Sequence, residues 1–588
     1  MRWITTLLLL IFLLTPTSTS YGNTMVYGNT IPKENNNVVY GRLAILIILD
    51  ALNYTVFEEL LDAGQLQNFH KLINLGTLVL GKTIVPSATT AAWAALFTGA
   101  PPEINGVVNT YAINSTYYHL LPPDVEPETV GYSDMIKGES LAEVLNEENV
   151  KLGFIYSESK VSVALGREGK ASLSVYYPEP FDPYDPSLPI IFRESYLDDL
   201  INRSINIIDV FSRSIIDGER ALVVIDLPEP DASGHTHGPM SSYYKDILGI
   251  IDSKIGNLID YLNESGLWER TLIVVATDHS MIQTVPEYQV LTSDEKHIVG
   301  LPVEHRVVPI GTLAYIYLKH EEDLDVAVDY LAKIDWIEGI WTRRPIEGAN
   351  GTLADIGLNI TYAGDIVISL RAPYYIYKYT SKGAHGGVNT RTIPIIFSGG
   401  MYDSNYSIPS NVSLLDICPT LAGFLGVRAP KDSVGRDLGV YKNFADIKVG
   451  VNPAIANPHQ SIEINVSYSM SRYEPTILTI SVVDTKTNKT IISQNIEIET
   501  AAGTKRTNII IEKEGEYLVE AIISSKDTPL GRGETKILVV EKAEAETPPE
   551  VYYALAISIG IGVVILATPF LIKKLLRGYR HARLEKNA

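Results

Sequence analysis

The chain of 588 residues contains a single cysteine, Cys418, so no internal disulfide can form. Cys418 lies in the apolar helical segment LLDICPTLAGFLG and reads as a buried small hydrophobe. Clustered positive charge is also missing. The net charge is −21, and no basic patch occurs outside the extreme C-terminus. That absence excludes a surface for a nucleic-acid polymer, whereas a small anionic substrate held through metal ions stays compatible. Apart from a strand-rich tail, no internal repeat or low-complexity segment stands out.

Membrane signals are confined to the two ends. Arg2 precedes an apolar run from Ile4 to Leu14, followed by Pro16 and a Thr/Ser tract, which predicts a signal peptide over 1–22. No small-x-small cleavage site is evident, so an uncleaved anchor is the alternative. Tyr552 to Ile572 is uncharged and long enough to cross ~30 Å of hydrocarbon. Lys573, Lys574, Arg577, Arg580 and Arg583 follow at once. The positive-inside rule then predicts a single transmembrane helix at 552–572, a cytoplasmic tail at 573–588 and the bulk of the chain outside the cell. Roughly ten N-x-S/T sequons, among them Asn53, Asn114, Asn263, Asn359 and Asn465, agree with export and with a glycoprotein. Export without disulfides suits a prokaryote, in particular an archaeon, better than an animal ectodomain.

At this length more than one core is expected. Residues 40–445 alternate short apolar runs with helical stretches, the pattern of a parallel sheet wrapped by helices. An insertion at about 282–380 carries its own strand and helix signals, including LAYIYL and DLDVAVDYLAKI, and is expected to cap the sheet's rim. From 450 to 542 strand-like runs dominate, separated by polar turns such as TKTN and KEGE, which predicts a β-sandwich of immunoglobulin-like type. The segment 543–551, which opens with the acidic AEAETPPE, reads as a linker. The predicted fold class is therefore α/β with a capping insertion, then a sandwich and one membrane helix.

Three apolar runs end on an aspartate: LAILIILD at Asp50, ALVVIDLPEPD at Asp231, and TLIVVATDH at Asp278. Continuous runs of this kind are strands buried on both faces of a parallel sheet. Ligands of open α/β sheets sit beyond the carboxyl ends of the strands. Asp50, Asp231, His235, Asp278 and His279 are thereby expected on one rim, and His385 in GAHGG can join them from a loop. Such oxygen and nitrogen donors suit a pair of divalent ions. A nucleophile is still needed. PSATTAAWAALFTGAPPEINGV opens an Ala-rich helix, and Ser87, Thr89 and Thr90 are all candidates at its electropositive start. At least one of them is expected to cap that helix.

These motifs together resemble the alkaline phosphatase superfamily, and within it the type I phosphodiesterase/nucleotide pyrophosphatase family. The family's P-[ST]-x-T and following T-G match Pro86, Ser87, Thr89 and Thr98-Gly99. Its P-D-x-x-G-H-x-x-G-P matches EPDASGHTHGP, its T-D-H-G-M matches Thr277 to Met281 with Ser280 for glycine, and its G-x-H-G matches Gly383 to Gly386. The resemblance covers roughly 43–440. It selects Thr89 as nucleophile, and it implies Asp231, His235 and His385 around one metal and Asp50, Asp278, His279 and Thr89 around the other. Zinc is the usual ion of such sites, with manganese compatible. The implied activity is hydrolysis of phosphodiester or pyrophosphate bonds of a small phosphate ester.

Departures matter. The resemblance leads one to expect an asparagine three residues after the nucleophile to hold the phosphoryl oxygens; here that position is Ala92, with Asn109 an alternative donor. Asn105-Gly106 stands where His-Gly is common. His237, outside the family pattern, is read as a residue behind the ligands or exposed. The tyrosines at 176–177 and 374–379 can stack on a base or sugar, or simply pack. Rival readings are a phosphomonoesterase or phosphotransferase of the same superfamily and, from another class, a surface-anchored binding module on an inactive enzyme scaffold.

Overall fold

The structure, a computed structural model, describes residues 41–541 except 123–124, 157–160, 168, 177–179, 181, 291, 294–296, 378–379 and 527. The predicted signal peptide, linker, membrane helix and basic tail lie outside the described residues. Among those described, no helix is long and apolar enough to cross a membrane.

Three of the apolar runs become neighbouring strands. β1 (Arg42–Leu49) lies at the centre of an eight-stranded sheet that also contains β2 (Thr77–Lys82), β3 (Lys151–Tyr156), β4 (Leu173–Tyr176), β5 (Arg220–Leu227), β6 (Thr271–Ala276), β7 (Thr392–Ser398) and β8 (Val412–Ser413). The order is β8-β2-β7-β6-β1-β5-β3-β4. The run β6-β1-β5-β3-β4 is parallel, and only β7 runs against its neighbours β2 and β6. Every residue of β1 is buried, as a strand covered on both faces requires.

Alternation along β1 divides the core. Ala44, Leu46 and Ile48 pack with α1 (Thr89–Thr98), while Leu43, Ile45 and Ile47 pack with α2 (Ile190–Ile216) and α4 (Ser242–Glu264). Each leucine or isoleucine among them contributes about 1.5–3 kcal/mol on burial, so the sheet's centre is firmly packed on both faces. Its carboxyl edge is consequently a firm platform for polar groups. Between β5 and α4, a short helix, α3 (Glu229–His237), turns back over that edge.

The segment between β6 and β7 builds a separate five-stranded sheet from 305–370. One face of it packs against Val85, Ala88, Val108 and Ala112, beside the start of α1. Strands from 445 to 539 form a three-stranded and a five-stranded sheet whose inward residues, such as Ile464 and Val519, share one core. The junction with the α/β region is built on Arg42. Its buried guanidinium lies 3.7 Å from the centre of the Phe444 ring and donates to both carboxylate oxygens of Asp446 at 2.8 and 2.9 Å.

Candidate metal centre

Parallel pairing of β1 with β6 brings Asp50 beside Asp278 and His279. The two loops are stitched together. Ala51 N donates to Asp278 Oδ1 (3.2 Å), Leu52 N to Thr277 Oγ1 (3.0 Å), and Asn53 Nδ2 to the Met281 carbonyl (2.7 Å). Thr277 Oγ1 in turn donates to the His279 carbonyl at 2.6 Å. Ala51 holds a left-handed φ of 55°, a conformation that costs a non-glycine residue roughly 1–2 kcal/mol and turns the chain sharply after Asp50. Asp50, Asp278 and His279 form one cluster whose ligand atoms lie within 4.8 Å of one another.

The second cluster has a different origin. Asp231 is not at a strand end: β5 stops at Leu227, and Asp231 and His235 stand four apart on α3, hence on one helix face. Buried Arg193 donates to Glu229 at the head of this helix. Gly234 lets α3 approach Met281, since a Cβ there would meet the sulfur at 2.5 Å. His385 arrives on the loop before β7. Gly386, with φ 120°, has no room for a side chain because the Ile310 carbonyl would lie 1.9 Å from its Cβ. Asp231, His235 and His385 form the second cluster, again within 4.8 Å. The rings of His279 and His385 stack at 4.0 Å, so the clusters are adjacent.

All seven residues singled out in the sequence meet here. Thr89, at the first turn of α1, places Oγ1 3.0 Å from His279 Nε2 and 3.4 Å from Asp50 Oδ1. The other two hydroxyl candidates are engaged elsewhere. Ser87 is fully buried, and its Oγ donates to the Gly387 carbonyl and meets Thr390 Oγ1, both at 2.7 Å. Thr90 Oγ1 meets Thr110 Oγ1 at 2.9 Å. Neither serves as an N-cap, and the capping position, Ala88, makes no side-chain hydrogen bond. The helix N–H groups beside Thr89 therefore have no side-chain cap to compete with an anion.

The donor set fits divalent cations. A carbonyl can only accept, so the Nδ1 atoms facing carbonyls carry the protons: His235 toward Gly383 (2.9 Å), His279 toward Ser280 (3.2 Å), and His385 toward Ser87 (3.2 Å). In its neutral form each ring turns its Nε2 lone pair into the centre. Nε2 of His235 and of His385 lie 3.3 and 3.6 Å from Asp231 Oδ1, and Nε2 of His279 lies 3.5 Å from Asp278 Oδ2. Burial, aided by His279, holds the His385 imidazole well below its usual pKa, which keeps it a neutral donor. At His235 burial also opposes the charged form, but Asp231 outweighs it and the pKa is raised.

Several supporting residues carried no signal in the sequence or were read otherwise. Ser381 Oγ lies 2.9 Å from His235 Nδ1 and donates to the Gly383 carbonyl at 2.6 Å; nothing but proximity to His385 could have marked it. Asn53 reads as a sequon, yet it is 9% exposed and both of its amide atoms are used, the oxygen accepting from Val56 N. The amides of Asn263 and Asn465 also donate within the protein. Ser280 fits without strain because its φ is not positive. Asn105 closes its turn by bonding the Ala100 carbonyl and Val107 N. His237 stacks on Tyr243 at 3.9 Å. Of the tyrosines, Tyr377 stands 5.6 Å from the His235 ring, and Tyr184, passed over in the sequence, stands 6.2 Å away. Ala92 is fully buried and offers no donor.

Fold and clusters define an open α/β protein with two adjacent Asp/His groups able to hold metal ions. Residues 44–389 match the model of type I phosphodiesterase / nucleotide pyrophosphatase, and the chain belongs to that family. Human ectonucleotide pyrophosphatase/phosphodiesterase family member 1 is 25% identical over 226 residues, 37% of this chain and 22% of that protein. Human bis(5'-adenosyl)-triphosphatase ENPP4 is 43% identical over 56 residues, 9% of this chain and 12% of that protein. The chain thus spans 12% to 22% of the length of these curated relatives. Murine ectonucleotide pyrophosphatase / phosphodiesterase 5, solved as an inactive threonine-to-alanine variant in complex with AMP, shares the fold. Its TM-score is 0.50 at 15% identity, over 66% of this chain and 96% of that one.

Proposed function

We propose that the protein is an extracytoplasmic, metal-dependent hydrolase of phosphodiester or pyrophosphate bonds, with Thr89 as nucleophile. One observation carries the reading: of three neighbouring hydroxyls, only that of Thr89 faces a ligand cluster, 3.0 Å from His279 Nε2. Asp50, Asp278 and His279 would hold one cation and Asp231, His235 and His385 the other, zinc before manganese on this N/O donor set. Bound there, two cations supply Lewis acidity that neutralises phosphoryl charge and activates oxygen nucleophiles.

Thr89 Oγ1 forms a bond to phosphorus as the bond to the leaving oxygen breaks; the threonine proton ends on that oxygen, giving a phosphothreonyl protein and the protonated leaving group. Water then cleaves the Thr89–phosphorus bond and frees the phosphate product. The first turn of α1 faces the same spot with its N–H groups and helix dipole. Tyr184 and Tyr377 give the centre an aromatic rim, which favours an ester with a planar or apolar group over a bare phosphate. The predicted leader and the 552–572 segment support placement outside the cell on a single membrane anchor.

The test is cleavage of bis- and mono-p-nitrophenyl phosphate by the full-length protein, with and without chelator. Chelator-sensitive cleavage of the diester is expected. Preference for the monoester would move the assignment to a phosphomonoesterase. No cleavage of either would leave the binding-module reading.

A further inference from the structure

The insertion between β6 and β7 does more than cover the sheet's edge. Its strands His305–Ile310 and Leu313–Leu318 are joined by a tight turn, Gly311-Thr312. Turns ordinarily run over the surface, where water satisfies their backbone groups. Here both residues are buried, Thr312 completely. A buried turn must find protein partners for its polar groups, and this one finds them on the loop that carries His385.

Thr312 N donates to the His385 carbonyl and Thr312 Oγ1 accepts from Gly387 N, both at 2.7 Å. The neighbouring strand, Ile366–Leu370, holds the same loop: Ser369 Oγ accepts from Val388 N at 3.1 Å, and the Leu370 carbonyl accepts from Asn389 Nδ2 at 2.9 Å. That strand also fixes the turn, since Leu370 N donates to the Thr312 carbonyl at 2.8 Å. The fit leaves no room for added atoms. A Cβ on Gly311, whose φ is 62°, would lie 2.2 Å from the His385 carbonyl, and one on Gly387 would lie 2.6 Å from the Thr312 carbonyl. On its other side the loop meets the segment before Thr89. Ser87 N donates to the Gly386 carbonyl at 3.0 Å, and His385 Nδ1 donates to the Ser87 carbonyl at 3.2 Å. His385 is thereby gripped between the insertion and the chain that leads to Thr89.

We infer that Thr312 is a positioning residue for the cluster of Asp231, His235 and His385: by bonding residue 385 through its N–H and residue 387 through its hydroxyl, it sets where the His385 imidazole stands. The inference rests on the proposed cation at that cluster. Its effect is one-sided. Asp50, Asp278 and His279 are ordered by the bonds of Ala51, Leu52 and Asn53 to the loop after β6, and none of those bonds involves the insertion sheet. The insertion is thus part of the metal centre as well as its cap.

Full-length Thr312→Val, Thr312→Ser and Thr342→Val proteins test it, with zinc alone as the probe. Valine keeps the shape of threonine and removes the acceptor that Gly387 N needs; serine keeps that acceptor. Thr342 is the control, a fully buried threonine of the same sheet whose hydroxyl donates to the Arg344 carbonyl at 2.7 Å. Calorimetric titration of the metal-stripped wild type should show two zinc ions, one of which a His385→Ala protein fails to bind. Thr312→Val should weaken that ion by about 10- to 100-fold, the range typical of groups that orient ligands, and leave the other unchanged. Thr312→Ser should restore it, and Thr342→Val should lower the melting temperature without moving either affinity. Wild-type affinities in a folded Thr312→Val protein overturn the inference, as do equal losses at both ions, no rescue by serine, or the same loss in Thr342→Val. If Thr312→Val does not fold, Asn389→Ala, at a half-buried site, cuts the loop's bond to Leu370 and should weaken the same ion to a smaller degree; unchanged affinities there overturn the inference too. If the wild type binds no zinc, the cation reading fails first, and hydrogen exchange decides Thr312 separately. The amides of residues 385–389 should then exchange faster in Thr312→Val than in wild type, and equal protection overturns its role.

Discussion

The two ligand clusters draw on the same residue types in inverse proportion, two aspartates and one histidine against one aspartate and two histidines, and they are built in opposite ways. One stands at the ends of two hydrogen-bonded parallel strands, and its loops are joined by three cross-links at 2.7–3.2 Å. The other combines one face of a nine-residue helix with a histidine from a loop about 150 residues further along. His279 is fully buried, whereas the His385 side chain keeps 12% of its exposure. A site whose ligands are pre-ordered loses less entropy on binding than one assembled from separate elements. The strand-end cluster is therefore expected to hold a cation more tightly and to exchange it more slowly.

The heaviest blow to this comparison is Thr89→Ala. It should abolish turnover of bis-p-nitrophenyl phosphate while both metals are retained by elemental analysis; residual turnover would show that the hydroxyl is not the nucleophile. His385→Ala comes next and should remove one of two metals and nearly all activity. Were both metals to stay bound, the helix-and-loop cluster would not be a separate site. Stepwise chelation of the native protein should proceed in two phases, with one equivalent leaving well before the other, and a single phase would erase the distinction between the clusters. Ser381→Ala should weaken only the more weakly held metal, by about 10-fold, since groups that orient ligands typically contribute that much. Ser280→Gly should be the mildest, within ±0.5 kcal/mol of wild-type stability by denaturant melting.

Much of this centre was legible in the chain because parallel strands write themselves as unbroken apolar runs. Asp50, Asp278 and His279 sit directly after such runs, so their convergence follows from sheet topology alone. Asp231 was harder. Its apolar run ends four residues early, at Leu227, and α3 carries it over the edge, a turn that EPDASGHTHG conceals because the segment is short and has proline at its second position. Choosing Thr89 over Ser87 and Thr90 depended on resemblance, since three adjacent hydroxyls are chemically equal until a fold gives two of them other partners. Ser381 was silent for a general reason: it acts through hydrogen bonds to a segment about 146 residues away, and such bonds leave no periodicity. Asn53 misled outright. A sequon is a three-residue pattern, and nothing in it reports that the amide is already committed to Met281 and Val56.

One strand carries a second message. β1 presents Asp50 to the ligand clusters at its far end, and at its near end Arg42 is enclosed by Phe444 and Asp446. Trimming the chain ahead of residue 444 would strip a sunken guanidinium of its ring and its counter-ion together, which such groups tolerate poorly. The distal two-sheet module is then a keystone for the strand that the whole ligand-bearing edge leans on, and a shortened protein should fail by unfolding before it loses its ligand clusters by any other route.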